Sequence, residues 1–547
     1  MNKGLIFCLL ILSILSQGFS QTNRYMVFFS DKSGENYPYS LEEPEAFLTD
    51  RAIQRRASQG INLSESDLPV NPEYVSNLKE MGLEVFFSSK WFNAVLIQAQ
   101  ENEVINLTEL NFIDSVALVA NNQKLQDSPS DFVVPTSFKK PSSINSDTEL
   151  QLSLLQADVM HNEGINGQGM LIAVLDNGFK GVDKYEPFEH LWNDNRIVAT
   201  KNFVDNSGTV FSEGDHGTAV FSTMSAKYED IYAGVAFGAS YILCVTEENG
   251  SEDRIEEFNW TFGAEFADSL GVDIINSSLG YVEFDIPEHT YQESDLNGNS
   301  TIVSKAAKLA AEKGMLVVVS AGNNGDDPPN LWRNITPPAD AENMLAVASV
   351  DENFNRAGFT SLGYTKNGKT KPDVAALGVL TSIIRGSGSI TFGNGTSYSS
   401  PQIAGLAAGI WQQNPEWSNF ELISAIKSAG HKSHKPDTLI GNGVPIYSYA
   451  VEGKILNVND IIENKIDIYP NPFHGKKLFM RVTSELNSPI SIQVHDSSGK
   501  SVLEDELAEI QTDKVYEFSL NDIDQGVYYL TLQFKNERKV VRIVNYE

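Results

Sequence analysis

The sequence predicts an α/β domain on a mostly parallel sheet, with a small α+β unit before it and a small β-sandwich after it. Three observations predict this. The chain has 547 residues, enough for about three folded units. Residues 150–455 alternate short, continuous apolar runs with helical patterns, as strands buried on both faces of a parallel sheet do. Residues 460–547 instead repeat short alternating patches between turn signals.

The elements follow in order. Within 24–120, the runs RYMVFFS (24–30), LEVFF (83–87) and WFNAVLIQA (91–99) read as strands, and 44–60, 74–81 and 101–107 as helices. Residues 121–149 are rich in Asn, Ser, Pro and Lys and read as a solvated linker. In the middle domain MLIAVL (170–175), 273–275 with its flanks, LVVV (316–319) and MLAVASV (344–350) are candidate buried strands. Thr301–Lys313 reads as a helix ended by Gly314. Ser418-x-x-Glu421 reads as a capping box ahead of a helix over 420–429. Beyond residue 460, strand-like patches fall at 465–469, 478–482, 490–494, 515–520, 527–534 and 540–544.

Composition narrows the function. Lys and Arg number 40 against 72 Asp and Glu, a formal net charge of −32. Phosphate binding needs a basic face, so nucleic acid and anionic lipid are set aside as partners. Residues 1–20 read as a secretory signal peptide: Lys3 is the positive start, 4–15 the apolar stretch, and Gly18 and Ser20 the small residues before cleavage. The apolar stretch is short for a membrane span, though an uncleaved anchor is the alternative. No later stretch is apolar enough to cross a membrane, so none is expected after signal cleavage. Of the two cysteines, Cys8 lies in that leader, which leaves Cys244 alone and no intramolecular disulfide.

Three local patterns in the middle domain carry chemistry. The first apolar strand runs into Asp176-Asn177-Gly178, which places an acid where open α/β sheets place functional groups. A turn is the plain alternative. His216 stands in Gly214-Asp215-His216-Gly217-Thr218, although a lone His is often structural. Gly393–Pro401 (GNGTSYSSP) leads into an apolar helix, so Ser397 sits in the positive field of a helix start. Simple capping would also account for it. Pro401 is expected in the first turn.

Each pattern is weak by itself; the chain order Asp, His, Ser and the words around them are not. The sequence resembles the subtilisin-like serine proteases, or subtilases (peptidase family S8), in LDNG at Asp176, HGT at His216 and GTSxSSP at Ser397. SAGNNG (320–325) and NSSLG (276–280) are two further matching words. The resemblance implies a subtilisin-like catalytic domain with Ser397 as nucleophile, His216 as base and Asp176 orienting the imidazole. It implies Asn323 as an oxyanion donor beside the Ser397 N–H. It also implies that Ser278, Leu279 and Gly280 form a segment to which substrate backbone adds as a strand. Ala219 replaces a second His common in the family, and Tyr398-Ser399-Ser400 replaces the middle of its helix word. Neither change removes a catalytic group.

No cofactor is needed for such chemistry. Asp295-x-Asn297-x-Asn299 has the spacing of Ca²⁺ ligands, but Ala306 stands where the closing Glu belongs, so a solvated turn is the competing reading and metal stays unassigned.

By position, residues 21–120 resemble a subtilase propeptide, an intramolecular inhibitor and folding aid removed within 121–149, where Lys139-Lys140 stands. A permanent accessory domain is the alternative. Residues 460–547 resemble the sorting domain of type IX secretion, through YPNPF (469–473), DSSGK (496–500), GVYYL (526–530) and KVVR (539–542). The resemblances together imply a secreted serine endopeptidase, made as a preproprotein, that acts on proteins or peptides. It would be exported through the periplasm of a Gram-negative bacterium by the type IX machinery and end free or on the cell surface. A non-catalytic adhesin on a protease scaffold is the alternative function. An esterase fits less well, because the GxSxG elbow is absent around Ser397.

Overall fold

The structure, a computed structural model, describes residues 22–34, 36–121, 135, 137–144, 148–451, 466–469, 477–482, 489–496, 500–508, 510, 514–520, 523–534 and 537–545. The leader with Cys8, most of the 121–149 stretch, and the words at 470–473 and 497–499 lie outside the described residues. The chain divides into two units, with the break after Ile455.

The first unit begins with a four-stranded antiparallel sheet. Its strands are β1 (Asn23–Phe29), β2 (Glu84–Ser89), β3 (Ala94–Ala99) and β4 (Ile113–Ala120), in the order β2-β3-β1-β4. Two helices, α1 (Asp50–Ser58) and α2 (Pro72–Glu80), are capped by Thr49 and Asn71. The α+β pattern is as expected, with one strand more: β4 follows at once on a 3₁₀ turn, and no separate turn signal announces it.

The sheet of the middle domain has seven strands, parallel at every pairing. They are β5 (Leu171–Asp176), β6 (Ile197–Asn202), β7 (Ser240–Val245), β8 (Ile274–Ser277), β9 (Leu316–Ser320), β10 (Leu345–Val350) and β11 (Val374–Leu377). The order is β11-β10-β9-β8-β5-β7-β6, so β5 lies where the winding reverses, with β8 on one side and β7 on the other. Every residue of β5, β8, β9, β10 and β11 is buried, which is why β5, β9 and β10 read as apolar runs; β11 (VAAL) was not predicted.

Helices cover both faces. One core joins the sheet to α3 (Asp215–Ser225), α6 (Thr396–Gln413) and α7 (Asn419–Ser428). The other joins it to α4 (Ile255–Leu270) and α5 (Ile302–Glu312). The cap of α5 is Thr301, and Ser418 closes the predicted box with Glu421.

The N-terminal sheet lies against the second layer: Met26, Trp91, Leu96 and Val119 share a core with Phe258, Trp260 and Phe262 of α4. That is why α4 is buried nearly all round. It also carries carboxylates into this contact. Asp268, fully buried, bonds Arg55 (2.6 Å), Arg56 (2.8 Å) and Lys90 (2.7 Å) of the N-terminal sheet-and-helix unit. Asp67 pairs with Arg56 (2.7 Å) and with Lys313 (2.8 Å) from the far side of the contact. Glu265 accepts from Ser89 Oγ, Lys90 N and Trp91 N.

The linker reading is only partly met. Phe138 packs on the catalytic core, the Lys139 N–H donates to Lys184 O, and Ser143–Ile144 pairs with Ser389–Ile390. Those residues already belong to the middle domain.

The second unit forms two antiparallel sheets. One holds β12 (Ile466–Tyr469), β13 (Lys477–Val482) and β16 (Val515–Ser519). The other holds β14 (Ile490–Asp496), β15 (Ser501–Leu507), β17 (Gly526–Phe534) and β18 (Glu537–Asn545). Leu478, Met480 and Phe518 of the first meet Ile492, Val494, Leu530 and Leu532 of the second in one core. β15 was not predicted; its sequence, SVLEDEL, is acidic because it is an exposed edge strand.

Candidate active site

Asp176 ends β5 and is fully buried. Its Oδ1 accepts from the Asn177 N–H and lies 2.8 Å from His216 Nδ1. A hydrogen bond to a carboxylate keeps a proton on Nδ1 and leaves Nε2 as an acceptor. His216 is the second residue of α3, and that helix must come very close to the Asp176 loop. A Cβ on Gly217 would lie 2.2 Å from Gly178 O, so only glycine fits there. The Gly217 N–H also donates to Asn177 Oδ1 (3.2 Å). Burial alone would lower the imidazole pKa, but the charge and hydrogen bond of Asp176 outweigh it and raise it above its ordinary value.

Ser397 is the second residue of α6, where N–H groups have no partner inside the helix. The helix starts at Thr396, so Pro401 lies in the second turn rather than the predicted first. Its missing N–H leaves the Ser397 carbonyl without an intrahelical donor. Ser278 Oγ supplies one, at 2.9 Å. The Ser397 hydroxyl is turned to Ser278 O at 3.4 Å; among the described residues it makes no hydrogen bond to His216. Such bonds often close only with substrate bound.

Asn323 follows β9 in an exposed turn. Its Oδ1 accepts from both the N–H and the Oγ1 of Thr396, each at 2.9 Å. Two donors on one oxygen fix which way the amide faces and keep Nδ2 as a donor. Ser278, Leu279 and Gly280 continue beyond β8. Ser278 is buried, Leu279 half-buried and Gly280 exposed. A Cβ on Gly280 would come to 1.9 Å from Thr336 Oγ1. A cavity of about 560 Å³ opens beside Gly280 and Thr336, with Asn324 and Trp332 in its wall.

The predicted residues therefore gather from five places: the carboxyl ends of β5, β8 and β9 and the starts of α3 and α6. Sequence reasoning missed three supports: Thr396 under Asn323, Asn177 under Gly217, and Asn276, whose Oδ1 accepts from Ser400 Oγ (2.9 Å). All three lie inside words already singled out. Tyr398 packs under the site, its ring 6.3 Å from that of His216. Ala219, in place of a second His, is buried in α3. Around the Ca²⁺-like spacing, Asp295 Oδ2 accepts from Gln292 N and Asn297 Oδ1 from Asn299 N, so these oxygens serve turns of their own loop.

Comparison with known proteins shows the family. Residues 167–443 match the Subtilase family, Peptidase S8. Residues 24–131 match the Peptidase S8 propeptide domain of Bacteroidota, and 467–545 a secretion system C-terminal sorting domain. Subtilisin BL from Lederbergia lenta is 29% identical over 54% of this chain and 94% of its own length. Subtilisin Savinase from Lederbergia lenta is 30% identical over the same shares. The epidermin leader peptide processing serine protease (EpiP) from Staphylococcus aureus shares the fold, with a TM-score of 0.52 at 16% identity over 79% of this chain and 98% of its own. With half its length in that family's catalytic domain, this chain belongs to the subtilases and is a serine endopeptidase with a propeptide domain and a secretion sorting domain.

Proposed function

We propose that the protein hydrolyses peptide bonds through Asp176, His216 and Ser397, with Asn323 as an oxyanion donor. The observation that carries this is the 2.8 Å bond between Asp176 and His216 Nδ1, which leaves Nε2 free to take a proton. Substrate binding would turn the Ser397 hydroxyl from Ser278 O to Nε2. The oxygen then attacks the peptide carbonyl while Nε2 takes its proton, and the tetrahedral oxyanion meets the Ser397 N–H and Asn323 Nδ2. The imidazolium gives that proton to the leaving amine, and water, activated by the same base, frees the acyl product. Every step uses side chains and backbone of this chain; none calls for a metal or cofactor. Ser278–Gly280 would pair with substrate main chain, and the cavity beside Gly280 would take a side chain.

In this reading the N-terminal unit is an intramolecular inhibitor of the precursor, removed upstream of Phe138, since Lys139 is already bonded to Lys184 and Glu186. The C-terminal unit would direct export from the periplasm of a Gram-negative bacterium through the type IX machinery, to the medium or the cell surface. The test incubates the full chain and its Ser397→Ala variant with an unfolded protein and maps all fragment ends by mass spectrometry. Cleavage and self-processing by the wild type alone support the reading. An active form that starts near Gln21 contradicts the propeptide role, and undiminished export after deletion of 460–547 contradicts the sorting role.

A further inference from the structure

A second cavity, of about 220 Å³, opens beside the Asp176 loop. Asn177 and Gly178, the residues directly after Asp176, form one wall, and the end of β7 with its following loop forms another. Asp205, Glu213, Glu247 and Glu248 line it, and among the described residues no Lys, Arg or His does. Burial raises the carboxyl of Glu247 to about 8, and that of Glu248 above its usual range. Burial thus penalises negative charge on Glu247 and Glu248, and among the described residues no basic side chain in the cavity's own walls offsets that penalty.

A cation lies near enough to feel the charge of two of the cavity's wall residues. Arg24, on β1 of the N-terminal unit, is 2% exposed. Its Nε and Nη1 have no hydrogen-bond partner among the described residues. A buried guanidinium with unmade hydrogen bonds is unfavourable. Burial lowers its pKa to about 10, so it stays charged at neutral pH. The charges that favour it there are those of Glu248, Asp253 and Asp205. Two of these three also line the cavity. Removal of the N-terminal unit would take Arg24 away and leave these carboxylates facing an open cavity next to the nucleophile's partners.

We propose that this cavity is a subsite for a cationic side chain, Arg or Lys, of the peptide substrate, and that Arg24 neutralises its rim in the precursor. Its location against Asn177 and Gly178 puts the bound side chain within a few residues of the bond to be cut. The cavity is too small for a folded partner and is fitted to one extended side chain. The chain's net charge of −32 acts in the same direction, drawing basic segments toward the cleft.

The proposal rests on the peptidase reading above, and its test separates the two. Self-processed protein is given fluorogenic peptides in pairs that differ only by Arg or Gln, with the pair placed in turn at each position around the scissile bond. The expected result is one position at which Arg raises kcat/KM by about tenfold or more. In the double variant Asp205→Asn, Glu248→Gln the ratio falls toward one. Added salt shrinks the wild-type ratio as well, and this second measurement stands even where the variant folds poorly. A wild-type ratio near one at every position overturns the proposal, as does a preference that survives both the double substitution and salt. If the wild type cuts none of the peptides, the peptidase reading fails and this proposal with it.

Discussion

Ser278 Oγ donates at 2.9 Å to the backbone carbonyl of Ser397. It is the carbonyl that Pro401 leaves without an intrahelical donor, and Ser278 opens the segment proposed to pair with substrate. One hydroxyl therefore ties the nucleophile's backbone to the substrate-pairing strand, so neither can shift without the other.

Ser278→Ala should test this tie. It leaves a buried carbonyl unpaired, at a cost of about 1–3 kcal/mol in stability. Because it loosens the nucleophile's position, kcat should fall more than KM rises, by up to about 10²-fold. Thermal unfolding and steady-state kinetics on one peptide read both effects. Unchanged kcat with lowered stability would show a purely structural tie.

Thr396 should act only through Asn323. Asn323→Ala is expected to lower kcat by about 10²–10³, the loss that removal of the corresponding donor causes in subtilisin. Thr396→Val keeps one of the two bonds to Asn323 Oδ1 and should cost less. The double variant should be no slower than Asn323→Ala alone, since two residues serving one donor are not additive. Additive losses would contradict the orienting role.

The base sets a pH dependence. His216 must be neutral to accept the Ser397 proton, and its pKa is raised, by Asp176 against burial. Activity should therefore rise with pH through a midpoint above the ordinary histidine value of about 6.5. Asp176→Asn removes the raising charge. It should move that midpoint down and lower kcat by about 10⁴, as the same change does in a chymotrypsin-type triad.

The contact of the N-terminal unit carries two opposite pH terms. Burial alone would raise the Asp268 pKa, but Lys90, Arg55 and Arg56 outweigh it and hold the carboxyl far below its usual range. Its contribution is whole above about pH 4 and is lost as pH falls through that depressed value. Glu265 is the reverse: burial, against the charge of Lys90, pushes it up to about 7. Its contribution is present at acidic pH and lost as pH rises through about 7. The precursor should thus activate faster at pH 8 than at pH 6, as seen in a time course of activity, and Glu265→Gln should flatten the difference. Asp268→Asn leaves three buried cations short of a partner, so it should weaken the contact by about 3–5 kcal/mol and shorten the lag at every pH.

Much of this architecture is legible in the sequence because burial on both faces leaves continuous apolar runs at β5, β9 and β10, and β5 and β9 each run into a chemistry-bearing word. The capping residue Ser418 was legible because a cap is a local bond between near neighbours, whereas Thr301, read as the first helical residue, is the cap of α5. What escaped depends on tertiary contact. Edge strand β15 is acidic because one side meets water. Pro401 looked like a helix start until the distant Ser278 was seen to satisfy the carbonyl it frees. The grip of Thr396 on Asn323 joins residues 73 apart in the chain. The ion cluster at Asp268 and the influence of Glu248 and Asp205 on Arg24 join residues far apart in the chain, and no local pattern encodes them.

The most direct test of the central claim is the cleavage of an unfolded protein by wild-type chain and by Ser397→Ala, each after the N-terminal unit has been removed by an added protease that is then inactivated. The account predicts cleavage by the wild type and a loss of about 10⁶ in turnover for the variant, as when subtilisin loses its nucleophile. Equal rates, or no cleavage by either, would contradict it and bring a non-catalytic binding role forward.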